Sequence, residues 1–166
     1  MKKIDFGNSW ITNIVAFIVL YFLLHVYFTW DVVKGIVPQL EKIEIVSQQE
    51  INIYELDKPL LVHFWASWCK VCEFEHESIN RIADDYTVLS IAAFSGTDTE
   101  LLQSMKKLNV KYPVINDNEG NISNEWGVSA FPASFVVNKD NQIQFVEIGY
   151  STEFGIRGRL LAAKYF

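Results

Sequence analysis

The hydrophobic pattern divides the chain into an unbroken apolar stretch, a mixed link, and a long segment in which short apolar runs alternate with polar turns. WITNIVAFIVLYFLLHVYFTW, from Trp10 to Trp30, carries no Asp, Glu, Lys or Arg, and its roughly 21 residues match a helix crossing ~30 Å of hydrocarbon. Tryptophan at both ends, with tyrosine nearby, suits the two membrane interfaces. The run exceeds the ~7–15 apolar residues of a cleaved secretory signal, and no small-x-small site follows in FTWDVVKGIVPQ, so the pattern predicts a retained anchor over 10–30. Asn13 and His25 lie inside it. With one span and no partner helix in view, Asn13 near an interface and a neutral His25 need no special role. Residues 1–9 precede the anchor, and 31–47, of mixed composition with Gly35 and Pro38, read as a tether.

Residues 48–166 read as one domain. PLLVHFWA (59–66) is a buried strand entered through a proline, and alternation along it gives His63 and Trp65 one face, opposite Val62 and Phe64. After Cys69, apolar residues at Val71, Phe74, Ile79, Ile82 and Ala83 keep helical spacing into the 80s. TVLSIAAF (87–94) is a second buried strand. TDTE (97–100) is a capping box, Thr97 and Glu100 satisfying each other's free amides at the head of a helix through Lys107. YPVIND is a short extended piece, and NISNEWG a brief helical turn ending at Gly127. ASFVV and IQFVEIG, joined by NKDNQ, form a hairpin. STEFGIRGRLLAAKYF is helical, although Gly155 and Gly158 each cost it about 1 kcal/mol relative to alanine. This order implies an α/β layered fold with a central mixed sheet flanked by helices.

Composition narrows the function. At 166 residues there is room for one domain and a small appendage. A formal net charge of -6 argues against a chain built to grip nucleic acid, since that requires a basic face to displace counterions. Two cysteines cannot make the multi-bridge framework of a small secreted scaffold, so the pair calls for another explanation.

Both cysteines lie in HFWASWCKVCEFEH (63–76). A Cys-x-x-Cys that opens a helix sets its first sulfur beside unpaired backbone N–H groups and the positive end of the helix dipole. That favours a Cys69 thiolate, the attacking species, with the more shielded Cys72 resolving the mixed disulfide. Lys70 favours the thiolate further, whereas Glu73, Glu75 and Glu77 oppose it; the three glutamates read as the solvated face of a helix. Two other functions compete. A Cu(I) or Zn(II) module would use Cys69, Cys72 and His76 or His63, but a closed zinc site takes four ligands, and no second Cys pair or Met-rich tract is present. A static bridge would close too short a loop to constrain much chain entropy.

LLVHFWASWCKVC resembles the active-site strand and turn of the thioredoxin family, W-A-x-W-C-x-x-C, and GVSAFPASFVV (127–137) resembles its second landmark, G-V-x-x-x-P followed by a strand. The two lie about 60 residues apart in the expected order, and the likeness covers roughly 50–166. The anchor and YPVINDNEGNISNEWGV are similar to the membrane-tethered, extracytoplasmic branch of TlpA, ResA and DsbE types. YPVINDNEG and RGRLLAAKYF look most like its ScsD type, linked to suppression of copper sensitivity.

The resemblance implies a thioredoxin-like fold and a protein disulfide oxidoreductase that works through a redox-active Cys69–Cys72 disulfide with no separate cofactor, as a reductant more than as a DsbA-like oxidant. It implies protein thiols and disulfides as partners and a transmembrane electron donor of the DsbD or CcdA kind. It also implies a single-pass location in the inner membrane with the domain in the periplasm, an orientation that charge barely decides, because Lys2 and Lys3 compete with Lys34 and Lys42. In that fold the proline matching Pro132 is cis and faces the thiols, and the backbone before it docks an extended substrate. Here the preceding residue is Phe131, where many relatives have threonine. Trp68, Lys70, Phe131 and Pro132 are thus the expected substrate-binding positions. His63 stands where thioredoxin has a buried aspartate, and it is expected to accept or relay the proton of Cys72.

Overall fold

The computed structural model describes residues 9–29, 32–40, 43–44 and 49–165, with side chains left out for Ser9, Ile11, 25–29 and 43–44. It divides into two compact units, residues 1–31 and 32–166. In the first, helix α1 runs Ser9–Thr29 and exposes large apolar side chains such as Phe17, Phe22 and Leu23. Among the described residues no helix is long and apolar enough to cross a membrane. The anchor expected over 10–30 depends for its length on the side chains from His25 to Trp30, which lie outside the description, as do residues 1–8 of the expected N-terminal segment.

The second unit is built on a six-stranded sheet. Its strands are β1 (Gly35–Ile36), β4 (Leu60–Trp65), β5 (Thr87–Ala93), β6 (Val114–Asp117), β7 (Ala133–Val137) and β8 (Gln142–Ile148), in the order β1-β8-β7-β4-β5-β6. β4, β5 and β6 are parallel, while β7 runs antiparallel to β4 and pairs with β8 as the expected hairpin. β2 (Ile43–Glu44) and β3 (Glu50–Ile51) form a separate two-stranded ladder. The sheet is therefore mixed, as the order of elements predicts.

Every residue of β4 is buried, and its alternation feeds two cores. Leu60, Val62 and Phe64 pack with Phe135, Trp126 and Ile53 on one face. Leu61 and Trp65 pack on the other with helix α2 (Lys70–Ala83), through Cys72, Ile79 and Ile82, and with helix α5 (Glu153–Tyr165), through Ile156, Leu160 and Ala163. Helix α3 (Asp98–Lys107) starts at the predicted capping box, with Thr97 Oγ1 accepting from Glu100 N and the Glu100 carboxylate accepting from Thr97 N. Helix α4 (Asn121–Glu125) is held by the carboxylate of Asp117, which accepts from the backbone N–H groups of Ile122 and Ser123 and from the Ser123 hydroxyl.

The segment 31–47, expected as a tether, is in its described part built into the domain. Val32, Val37 and Leu40 are buried in the first core, β1 adds an edge strand to β8, and Val33 N and Val37 N donate to Trp126 O and Asn141 O. Its apolar residues, spaced too irregularly to read as an element, are drawn in by a sheet edge and a core face supplied by residues about 100 positions later.

Candidate active site

The carboxyl ends of the parallel strands β4 and β5 and the start of antiparallel β7 meet at one edge of the sheet. The register pairs Trp65 with Ala92 and Phe64 with Ala133, so the turn to Cys69, residue Phe94 and Pro132 all emerge there. Clefts beyond the carboxyl ends of parallel strands are where α/β sheets place their chemistry.

Cys69 is the N-cap of α2. Its Sγ accepts from Cys72 N at 3.2 Å, one of the amides the first helical turn leaves unpaired. Cys69 and Cys72 form a disulfide, Cα to Cα 5.3 Å. Cys72 is fully buried, whereas Cys69 is half-buried and opens onto a cleft of about 150 Å³ with Ser67, Trp68, Lys70 and Lys107. One sulfur is offered to solvent and the other sheltered, as their positions on the helix predict. Lys70 is exposed, with its ammonium on Glu73 at 3.1 Å, and that pairing holds the Glu73 carboxyl below its ordinary value.

Trp68, next to Cys69 in the chain, begins a row of three aromatic rings. Trp68, 61 % exposed, donates its indole N–H to Phe94 O at 3.1 Å. Its ring lies 6.0 Å from that of Phe131, and Phe131 lies 6.4 Å from Phe94, both edge-on. The Phe131–Pro132 bond is cis, as the family likeness implies; Lys58–Pro59 is cis as well, which the sequence did not suggest. Pro132 is buried, and its carbonyl accepts from Gly149 N. Phe94 was not singled out from sequence, being read simply as the end of a strand.

On the face of β4 that carries Leu61 and Trp65, which pack with Cys72, lies a buried polar group. His63 has the predicted face, and neighbouring strands set Ser134 and Ser90 level with it. Its Nδ1 lies 3.0 Å from Ser134 Oγ, while Trp65 Nε1 donates to Ser90 Oγ. Burial, with a smaller push from neighbouring His76, lowers the His63 pKa to about 3, so the ring is neutral at physiological pH. His76 is also buried; its Nδ1 is 2.6 Å from the Tyr112 hydroxyl, its ring sits edge-on to Trp65, and burial lowers its pKa to about 4. Nε2 of each histidine is buried without a partner.

Glu75 corrects the sequence reading. Glu73 and Glu77 are exposed, but Glu75 is 1 % exposed, because α2 turns it inward with Cys72, His76 and Ile79, at the i, i+3, i+4, i+7 spacing of one helix face. Its Oε1 accepts from Ser151 N, its Oε2 has no partner, and burial raises its pKa to about 7. The sequence signal was available: with Cys72 and Ile79 facing inward, residue 75 shares their stripe. Among the described residues no group of three or more His, Cys, Asp or Glu side chains gathers as metal ligands would, and both histidines' Nδ1 atoms are engaged by hydroxyls.

Comparison with known proteins agrees with this geometry. The chain is 27 % identical over 141 residues to a thioredoxin-like protein of Haemophilus influenzae, covering 80 % of this chain and 83 % of that one. It is 30 % identical over 107 residues to the thiol-disulfide oxidoreductase ResA of Bacillus cereus, covering 62 % of each. Its fold matches the crystal structure of StoA from Bacillus subtilis with a TM-score of 0.63 at 21 % identity, over 74 % of this chain and 96 % of that one. The family model for Redoxin spans residues 44–158, from the β2–β3 ladder through the disulfide and the cis-proline into α5, and the chain belongs to that family.

Proposed function

We propose that this protein is a thiol-disulfide oxidoreductase that reduces protein disulfides through Cys69 and Cys72. The observation that carries the reading is Cys69 Sγ accepting the Cys72 N–H at the head of α2, with Cys72 buried behind it. The same donor and the helix dipole stabilise the thiolate in the dithiol form.

The Cys69 thiolate attacks a partner disulfide. A bond forms between Cys69 and one partner sulfur, the partner's S–S bond breaks, and its other sulfur leaves as a thiolate and takes a proton. Cys72 then gives up its thiol proton and attacks Cys69 Sγ; the Cys69–Cys72 disulfide forms, the mixed disulfide breaks, and the second partner sulfur leaves and is protonated. Two electrons pass to the partner. The Cys72 proton goes to a group on the same buried face. Glu75, titrating near 7 with Oε2 free, fits that task at neutral pH. His63, which burial keeps neutral and whose Nε2 has no partner, takes part as a relay and does not retain the proton. Trp68, Lys70, Phe131 and Pro132 make the rim on which the partner docks.

The electron donor we assign to the dithiol is a transmembrane protein of the DsbD or CcdA kind, and the site of action is the periplasmic face of the inner membrane, with α1 as the anchor. What supports this is the uncharged sequence of Trp10–Trp30 and the apolar exposure of α1. The nearer likeness to the ScsD type rests on YPVINDNEG and RGRLLAAKYF. The test is reduction of insulin by the full chain in detergent, together with its reduction potential against glutathione. A reductant falls near ~-270 mV and is silenced by Cys69→Ser; a value near ~-120 mV would make the protein an oxidant instead.

A further inference from the structure

Phe94 holds a backbone conformation that a bulky side chain rarely adopts, with φ +49°. A non-glycine residue there is strained and persists only where its surroundings over-determine it. Three contacts do so. Phe94 N donates to Asp117 O, Phe94 O accepts the Trp68 indole N–H, and the ring lies over Gly120, where a Cβ would have no room. Phe94 is nevertheless 47 % exposed, so its burial alone does not explain the arrangement. What the strain achieves is position: the ring turns back from the end of β5 to face Phe131, and the carbonyl pins Trp68, making one aromatic ledge beside Cys69.

We propose that Phe94 is a specificity-determining residue, the outer wall of an apolar ledge that selects protein disulfides with an aromatic or large aliphatic side chain close to the cysteine under attack. The proposal rests on the oxidoreductase reading and adds the class of disulfide preferred. The three rings are continuous through Phe131: Trp68 is the residue before the attacking sulfur, Phe131 the residue before the cis-proline, and Phe94 meets Phe131 edge-on and holds Trp68 through its carbonyl, so a peptide whose cysteine reaches Cys69 lays its neighbouring side chains along these rings. The three side chains of the ledge carry no charge; Lys70 beside it is paired with Glu73, and Lys107 lines the adjoining cleft.

The test uses the full chain and two disulfide peptides that differ only in the residue beside the cysteine, phenylalanine in one and glutamate in the other, with rates of reduction measured for each. The wild type is expected to prefer the phenylalanine peptide. Phe94→Asn, which tolerates a positive φ, should lower the phenylalanine-to-glutamate ratio about fivefold, the factor for one aromatic contact of ~1 kcal/mol. Phe94→Tyr should restore the ratio. Phe94→Gly, equally compatible with the backbone, repeats the test if Phe94→Asn fails to fold. An unchanged ratio, an equal loss on both peptides, or a wild type without preference overturns the proposal. Failure of the wild type to reduce either peptide or insulin would instead remove the oxidoreductase reading beneath it.

Discussion

Glu75 reaches across to Ser151, 76 residues later in the chain, and takes the backbone N–H at the approach to α5 on its Oε1, leaving Oε2 buried and bare on the side of the helix that carries Cys72. Burial raises the carboxyl from 4.5 to about 7, against the opposing pull of the Ser151 N–H. The folded chain therefore holds this proton more tightly than the unfolded chain, and stability is fully present below about 4.5 and lost as pH rises through about 7. Each pKa unit is worth about 1.4 kcal/mol, so the loss is at most about 3.5 kcal/mol. Glu75→Gln keeps an oxygen for Ser151 and removes the titration. Its unfolding midpoint in urea should change less than the wild type's between pH 5 and 8. If Glu75 also receives the Cys72 proton, the variant's rate of disulfide reduction will lose its dependence on a group near 7.

The two sulfurs should behave unequally. Cys69 is partly exposed and Cys72 fully buried, so a partner attached to Cys69 leaves only through Cys72. Cys69→Ser is expected to abolish exchange, and Cys72→Ser to accumulate mixed disulfides visible as a shifted band on a non-reducing gel that dithiothreitol collapses. Ordinary turnover by both variants would remove the assigned roles.

Much of this site was legible because the signals are local. The thiols at a helix start, the face shared by His63 and Trp65, and the capping box of Thr97 and Glu100 each depend on residues a few positions apart, where periodicity and cap chemistry operate. What escaped depends on register or on distant packing. That Ser134 and Ser90 flank His63 follows from which strands pair and in what alignment. Glu75 shares the inward stripe of Cys72 and Ile79, a signal the sequence carries, but its bond to Ser151 N exists only once the start of α5 is in place. Nothing local marks Phe94 for a positive φ; the residue that permits it, Gly120, is 26 positions away. The stretch 32–40 reads as a link because its core partners all come later in the chain.

Burial of His63 and His76 gives a prediction of opposite pH sign. The folded His63 pKa, about 3, and that of His76, about 4, lie below the ordinary 6.5. The unfolded chain takes up these protons first, so the stability they report is present above about 6.5 and lost as pH falls toward the folded values. His63→Phe should make the fall in thermal midpoint between pH 6.5 and 4 shallower than in the wild type. Ser134→Ala leaves a buried ring nitrogen unpaired and should cost about 1–3 kcal/mol at neutral pH, measured by urea denaturation.

Gly120 and Gly158 set one substitution against itself. At Gly120, φ is +74° and a Cβ would strike the Phe94 ring, whose more distant edge carbon, Cε2, is still only 3.2 Å away. At Gly158, inside α5, a Cβ meets nothing within 4 Å. Gly158→Ala should stabilise the fold by about 0.5–1 kcal/mol, the helix-interior difference between the two residues. Gly120→Ala should destabilise it by about 1–3 kcal/mol, through backbone strain and overpacking together. It must also push the Phe94 ring aside and loosen the carbonyl that holds the Trp68 indole, so the local change should reach the active-site rim as altered Trp68 fluorescence, read against a background in which the other tryptophans are replaced by phenylalanine. Combining Gly120→Ala with Phe94→Gly removes the ring that the new methyl group strikes, and part of the lost stability should return. A double variant no more stable than the sum of the two single changes would show that the two positions are not in steric conflict.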